Sequence, residues 1–236
     1  MPALSYDQVR LLNSYSIYTE NPERPLFTLA NLHKDFYLTD FRDLMMGITQ
    51  AATETAAISH FMRRYGMFVA TQFYMLATYD EVWDGKIEDI RFALVHEYGN
   101  NTLGTFITAN DFRYVEDDER ENVMHNILYK QTFEIIQQLR KTTSISPLVM
   151  WESIFGYIVW HYHTLLENPA LADRAFEDIE ILEGTNVWRY ISDKSLFLSY
   201  TGGKHPSQLL NVPVRKSCCQ SKDIPGLIAC GFCPLK

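Results

Sequence analysis

The sequence predicts an α+β protein that is mainly α-helical. It consists of a helical body over residues 1–184 with a β-hairpin at about 87–108, and a basic, loop-rich tail over 185–236. Three observations predict this class: apolar residues recur at helical spacing through the body, one segment alternates with period two, and glycine and proline interrupt the tail. With 236 residues, of which 47% are hydrophobic, the chain can bury a core without disulfides and is not a disordered polypeptide.

The first helical pattern covers residues 38–65, where apolar side chains recur every three or four positions. We expect Gly66 to end this helix, because glycine is common just beyond a helix C-terminus. A second helix is then predicted over residues 67–79.

The hairpin is predicted from alternation on either side of a turn. Apolar and polar residues alternate over residues 87–98, Gly99-Asn100-Asn101 follows, and residues 102–108 form the second strand. Glycine and asparagine tolerate the positive φ of tight hairpin turns, so this order favours two antiparallel strands.

Three further helices complete the body. Acidic residues open a predicted helix over 117–141, and Ser146-Pro147 forms a good N-cap and first turn for one over 148–166. A last helix covers 170–182 and stops at Gly184. Five aromatic residues in the 148–166 helix are interpreted as core rather than as a cofactor pocket: Trp151, Phe155, Tyr157, Trp160 and Tyr162.

Charge and segment length exclude several classes of protein. The chain has 21 basic and 29 acidic side chains, and the net charge of −8 at pH 7 argues against nucleic-acid binding. The longest apolar stretches, 66–79 and 148–166, are too short or too interrupted to span a membrane. Since residues 1–10 lack a signal-peptide pattern, we expect a cytoplasmic protein. The charge is divided, with −13 in the body and +5 in the tail.

All four cysteines lie in the last 19 residues, as Cys218-Cys219, ten intervening residues, and Cys230-Gly-Phe-Cys233. Cysteines that serve only as small hydrophobic side chains would be spread through the core. Four thiols so close together in sequence indicate one site.

Four kinds of site could use these thiols. A disulfide framework needs an oxidising compartment, for which the sequence gives no export signal. A thioredoxin-type Cys-x-x-Cys opens a helix, and only three residues follow Cys233. Structural zinc fits Cys230 and Cys233, but an adjacent pair reaches a single tetrahedral ion only with backbone strain. A [2Fe-2S] cluster has two irons that each need two thiolates, so it accommodates Cys218-Cys219 and is favoured over zinc.

Three basic residues lie near the thiols in sequence: Arg215, Lys216 and Lys222. Positive charge near an anionic cluster favours its more negative reduced state and raises the potential. The alternative for each residue is a solvated loop position. No phosphate-binding loop, dinucleotide fingerprint, zinc-protease motif or nucleophile elbow occurs in the sequence.

The tail resembles the C-terminal signature of the FhuF-type ferric-siderophore reductases. That family binds a [2Fe-2S] cluster through a Cys-Cys-x10-Cys-x2-Cys pattern, usually after an arginine and before a proline. Here Cys218, Cys219, Cys230 and Cys233 match in identity and spacing, Arg215 precedes them and Pro234 follows. The match covers about 20 of the 236 residues, and no siderophore-binding residue can be carried over.

The resemblance implies an oxidoreductase that passes one electron from the cluster to the Fe3+ of a ferric siderophore and so releases Fe2+. The electron would come from a separate ferredoxin- or flavodoxin-like protein, because no flavin or nicotinamide motif is present. Two alternatives stay open: an iron–sulfur electron carrier without enzymatic activity, and a zinc-stapled module that binds siderophores or partner proteins.

Overall fold

The computed structural model describes residues 4–32, 37–97 and 99–235. Within these ranges the predicted class is confirmed: the fold is α+β and mainly helical. The helices are α1 Tyr6–Ser14, α2 Leu29–Leu32, α3 Tyr37–Thr49, α4 Glu54–Tyr79, α5 Arg120–Leu128, α6 Glu134–Leu139, α7 Pro147–Leu166, α8 Ala172–Glu183 and α9 Leu196–Thr201. The strands are β1 Ile17–Tyr18, β2 Phe27–Thr28, β3 Glu81–Trp83, β4 Arg91–Glu97, β5 Asn100–Phe106 and β6 Phe112–Tyr114.

Helices α4 and α7 form the centre of the fold and make its most extensive helix–helix contact. The prediction that Gly66 ends a helix is wrong, because α4 continues through it to Tyr79. Gly66 faces α7 instead, where an added Cβ would lie 3.1 Å from the Ile154 side chain. The absence of a side chain therefore allows the two helices to approach closely.

The predicted helix over residues 38–65 is divided in two. Helix α3 ends at Thr49, Gln50 adopts a left-handed conformation with φ of 50°, and α4 starts after Thr53. The Thr53 side chain caps α4 by accepting a hydrogen bond of 3.1 Å from the amide of Ala56. Apolar periodicity continues across this break, so it could not reveal the turn.

The predicted helix over residues 117–141 is interrupted as well. A π-helical turn at Tyr129–Phe133 separates α5 from α6. Within this turn the carbonyl of Gln131 accepts a hydrogen bond of 2.6 Å from the hydroxyl of Tyr65 on α4. The wider turn frees backbone groups that an α-helix would use internally, and a buried side chain takes one of them.

The predicted hairpin is confirmed as β4 and β5, which pair antiparallel from Arg91–Phe106 to Glu97–Asn100. The predicted bounds are wrong in two places: Asn100 and Asn101, predicted in the turn, belong to β5, and Ile87–Asp89 form a 3-10 turn before β4. Tyr98, predicted at the end of the first strand, lies outside the described residues. The sheet order is β1-β5-β4-β2, and β3 pairs with β6 in a second, two-stranded sheet. The sequence did not predict these four short strands, since two or three residues carry no measurable alternation.

The remaining predicted elements are close to those observed. Ser146 caps α7 as expected, and α8 ends just before Gly184. Beyond Gly184 the chain packs on the body, and six of its side chains belong to the same hydrophobic core: Val187, Trp188, Phe197, Tyr200, Leu209 and Ile224. Among the described residues, no helix is both long enough and apolar enough to cross a membrane.

Candidate functional site

The cysteine-bearing segment, residues 215–233, is attached to one face of α4. The hydroxyl of Ser59 donates a hydrogen bond of 2.9 Å to the carbonyl of Cys219. One turn further along the helix, the guanidinium of Arg63 donates to the hydroxyl of Ser221. Residues four apart lie on the same face of a helix, so α4 holds this segment at two successive positions.

Helix α7 holds the same segment through the buried carboxylate of Glu152. This carboxylate accepts hydrogen bonds from the backbone amides of Lys216, at 2.8 Å, and Ser217, at 3.0 Å. The hydroxyl of Ser217 donates to it as well. Glu152 is 2% exposed, and its charge is compensated by these three donors and by Arg215, whose Nε lies 3.8 Å away.

Arg215 is the most buried of the basic residues that the sequence placed near the thiols. Its guanidinium donates to the carbonyl of Val149 at 3.0 Å, the hydroxyl of Ser153 at 3.3 Å and the carbonyl of Ser217 at 3.2 Å. Its backbone amide donates to the carbonyl of Phe232 at 3.3 Å. Arg215 therefore joins both ends of the cysteine segment to α7.

The four cysteines are free thiols with different surroundings. Cys219 and Cys233 are buried, whereas Cys218 and Cys230 are partly exposed. The Cys218 sulfur accepts a hydrogen bond of 3.3 Å from the amide of Gln220, a residue in the left-handed conformation with φ of 57°. The two adjacent side chains thus have different partners, which is the divergence expected of neighbouring positions.

Cys219 and Cys230, eleven positions apart in sequence, are neighbours, and each affects the ionisation of the other. Cys219 also lies 2.9 Å from the hydroxyl of Ser221. The neighbouring Cys230, together with Ser221 and the positive charge of Arg215, lowers the pKa of Cys219. The proximity of Cys219 in turn raises the pKa of Cys230.

Arg63 is the functional candidate that the sequence reasoning missed. Burial disfavours its charge, but Tyr157, Cys219 and Cys230 outweigh burial and raise the pKa of Arg63. In sequence it lies more than 150 residues before the thiols, so no local motif connects them. The available signal was a pair of basic residues, Arg63 and Arg64, in a helix that is otherwise largely apolar.

The other two predicted basic residues lie on the surface. The ammonium group of Lys216 is directed to the carbonyl of Ser199, at 3.3 Å, and Lys222 is exposed. The positive charges that act on both Cys219 and Cys230 therefore include Arg215 and Arg63, one from the tail and one from α4.

The donor set fits an iron–sulfur cluster in its chemistry. All four thiols are free, and the pKa of Cys219 is lowered by its surroundings. Two guanidinium groups are available to compensate the negative charge of bound thiolates. In the part of the chain that the structure describes, no three cysteine, histidine or acidic side chains converge closely enough to hold a metal ion.

A cleft of about 320 Å³ opens beside Cys230. The expected core role of the α7 aromatic residues holds for Trp151, Phe155 and Tyr162, which are buried. Tyr157 packs against the core and also lines the cleft, whereas the predicted core role is wrong for Trp160, which is 48% exposed and lines the cleft. Its remaining lining comes from the following residues: Tyr15, Arg63, Glu152, Ser153, Gly156, Asn211, Arg215, Gly231 and Phe232.

No protein-family model matches this chain, and no curated protein matches it significantly. Fold and site define a mainly helical α+β protein with four free thiols in a segment fixed between two central helices. The likeness to ferric-siderophore reductases rests on the cysteine pattern of residues 215–234.

Proposed function

We propose that the protein is a cytoplasmic ferric-siderophore reductase. In this proposal Cys218, Cys219, Cys230 and Cys233 hold a [2Fe-2S] cluster that passes one electron to chelated Fe3+ and releases Fe2+. The observation that carries the proposal is a segment with four free thiols that hydrogen bonds from α4 and α7 hold in place, beside the guanidinium of Arg63. The backbone hydrogen bond from Arg215 to Phe232 brings the two ends of the cysteine pattern together.

The chemistry needs potential and proximity rather than a nucleophile. Siderophores hold Fe3+ with hard oxygen ligands, which bind the larger and less charged Fe2+ more weakly. The cluster, when bound, supplies single electrons. The protein's own residues then have two tasks: Arg63 and Arg215 compensate negative charge at the thiolates, and Glu152 fixes the segment that carries them.

A separate protein is proposed as the electron donor, of ferredoxin or flavodoxin type. Such carriers are acidic, and the segment from residue 185 onwards carries a net charge of +5 in the sequence. Long-range attraction would guide the donor to this side of the molecule and away from the acidic body. Rates of reduction should therefore fall as the salt concentration rises.

Anaerobic purification tests the proposal directly. We expect iron and acid-labile sulfide in equal amounts, a visible absorption spectrum that bleaches on reduction, and reoxidation of the reduced protein by ferric chelates with formation of Fe2+. One equivalent of zinc without sulfide would identify a zinc-stapled module instead. A reducible cluster that reacts with all ferric chelates alike, without saturation, would identify an electron carrier.

A further inference from the structure

The cleft beside Cys230 has the size and shape of a small-molecule site. Its volume of about 320 Å³ is at the lower end of the range for ligand pockets, whereas protein partners cover wide, flatter surfaces. Two cavities of similar size also border the tail, one lined by His60 and the loop at 224–227 and one by Lys216. Neither of these two is lined by a cysteine among the described residues.

The wall of the cleft includes a proposed cluster ligand. Cys230 lines it directly, so a molecule in the cleft touches a residue through which an electron would leave the cluster. The opposite wall depends on Gly156 of α7, where an added Cβ would lie 3.1 Å from the ring of Phe232. Glycine at this position lets Phe232 lie against α7, two residues from Cys230.

The rim of the cleft is aromatic. Trp160 is 48% exposed, whereas the other three tryptophans, Trp83, Trp151 and Trp188, are at most 5% exposed. Tyr157 and Tyr15 face the same opening. Tyr15 is held in place by an edge-on contact with His161, with ring centroids 4.7 Å apart. Three rings around one opening provide stacking surfaces for flat ligand groups.

The cleft also presents hydrogen-bond donors. Among the described residues, the partners of Arg63 are hydroxyl groups and thiols rather than a carboxylate. Both carboxylate oxygens of Glu152 are occupied by the tail. Arg63 can therefore donate to oxygen atoms of a bound molecule, as guanidinium groups do in oxyanion recognition.

We propose that this cleft binds the ferric chelate, and that the preferred class is an aryl chelate of catecholate or phenolate type. The aromatic rings of the chelate stack on Trp160 and Tyr157, and its phenolate oxygens accept hydrogen bonds from Arg63. The inference rests on the proposed function. When bound by the four cysteines, the cluster would supply the one electron that converts the Fe3+ of the chelate to Fe2+, and the donor protein would replace that electron.

Binding can be measured separately from electron transfer with gallium(III) complexes, which a low-potential cluster does not reduce. Isothermal titration calorimetry on the anaerobically purified protein would use a tricatecholate and a trihydroxamate complex. We expect saturable binding of the tricatecholate, at least fivefold tighter than that of the trihydroxamate. Trp160→Ala should weaken it at least tenfold, and Trp160→Phe, which keeps a ring, should restore most of the affinity. Phe176→Ala removes an exposed ring on α8 and should have no effect.

The outcomes separate this inference from the proposed function. Unchanged affinity in Trp160→Ala, in a protein that still holds iron and sulfide and still reduces ferric chelates, overturns the cleft assignment and leaves the proposed function standing. Tighter binding of the trihydroxamate overturns the aryl preference. Zinc without sulfide overturns the proposed function, whatever the calorimetry gives.

Discussion

Glu152→Ala tests whether α7 fixes the cysteine segment. The buried carboxylate accepts two backbone amides and one hydroxyl and faces the buried Arg215, which is 5% exposed. Removing one partner of a buried ion pair costs about 3–5 kcal/mol, since the other charge stays uncompensated. Taking about 3 kcal/mol for local detachment, opening of the segment becomes on the order of 100-fold more frequent.

Hydrogen–deuterium exchange with mass spectrometry measures this opening. Peptides covering residues 215–219 and 230–233 should exchange on the order of 100-fold faster in Glu152→Ala, because exchange follows the free energy of local opening. Peptides from α8 should be unchanged. Glu180→Ala, an exposed carboxylate on α8, is the matched control and should exchange like the wild type. Equal rates in Glu152→Ala and Glu180→Ala would refute the proposed anchoring.

Four other changes give measurable results. Serine at each cysteine should abolish or alter the visible spectrum of the anaerobic protein, and a normal spectrum in Cys219→Ser would contradict the four-thiolate assignment. Arg63→Gln removes a positive charge from the thiols and should lower the midpoint potential by an amount on the order of 50 mV; a redox titration measures it, with Arg42→Gln as the unaffected control. Asp178→Asn removes the main counter-charge of the buried Arg120, whose Nε lies 2.5 Å from the Asp178 carboxylate. We expect a loss of about 3–5 kcal/mol in unfolding free energy and of roughly 10 °C in Tm, measured by calorimetry. His161 is buried and its pKa is lowered from 6.5 to about 3. Between pH 6.5 and pH 3, His161 is therefore protonated in the unfolded chain but neutral in the folded protein. Stability falls as pH drops through this range, by up to about 1.4 kcal/mol per pH unit. Denaturant titrations of His161→Leu should show a shallower decline, and an unchanged slope would contradict neutral burial.

The sequence predicted the parts of the fold that local pattern determines. Helix periodicity located α7 and α8, the Ser146 cap was correct, and alternation on either side of Gly99 located the hairpin of β4 and β5, although Asn100 and Asn101 lie in β5 rather than in the turn. The errors lie where contacts between distant parts of the chain determine where a helix ends. Glycine is common just beyond the end of a helix, but α4 continues through Gly66. The residue is small because α7 packs against it, where a side chain would crowd the neighbouring helix.

The residues of the candidate site also fall into those that the sequence could predict and those that it could not. The cysteine pattern and Arg215 could be read from contiguous residues. The contributions of α4 and α7 could not, because Arg63 and Glu152 reach the segment only after folding brings together parts of the chain more than 60 residues apart. A charged residue in an apolar helix is the general signal for such a role, and both residues carry it.

Arg63 and Glu152 place opposite charges on the two helices that hold the cysteine segment, and their different partners give them different roles. Glu152 is fully engaged by backbone amides and Arg215, so its charge is used in attachment. Arg63 is bound to hydroxyl groups beside the thiols, so its charge is left to act on sulfur and on the cleft. Glu152 accepts three hydrogen bonds from the segment, whereas Arg63 donates one, to Ser221. Loss of Glu152 should therefore raise the exchange rates of the segment much more than loss of Arg63, and loss of Arg63 should have the larger effect on potential and ligand affinity. Measuring both properties in both variants separates attachment from electrostatic tuning. If the two variants behave alike, the separation of roles is wrong.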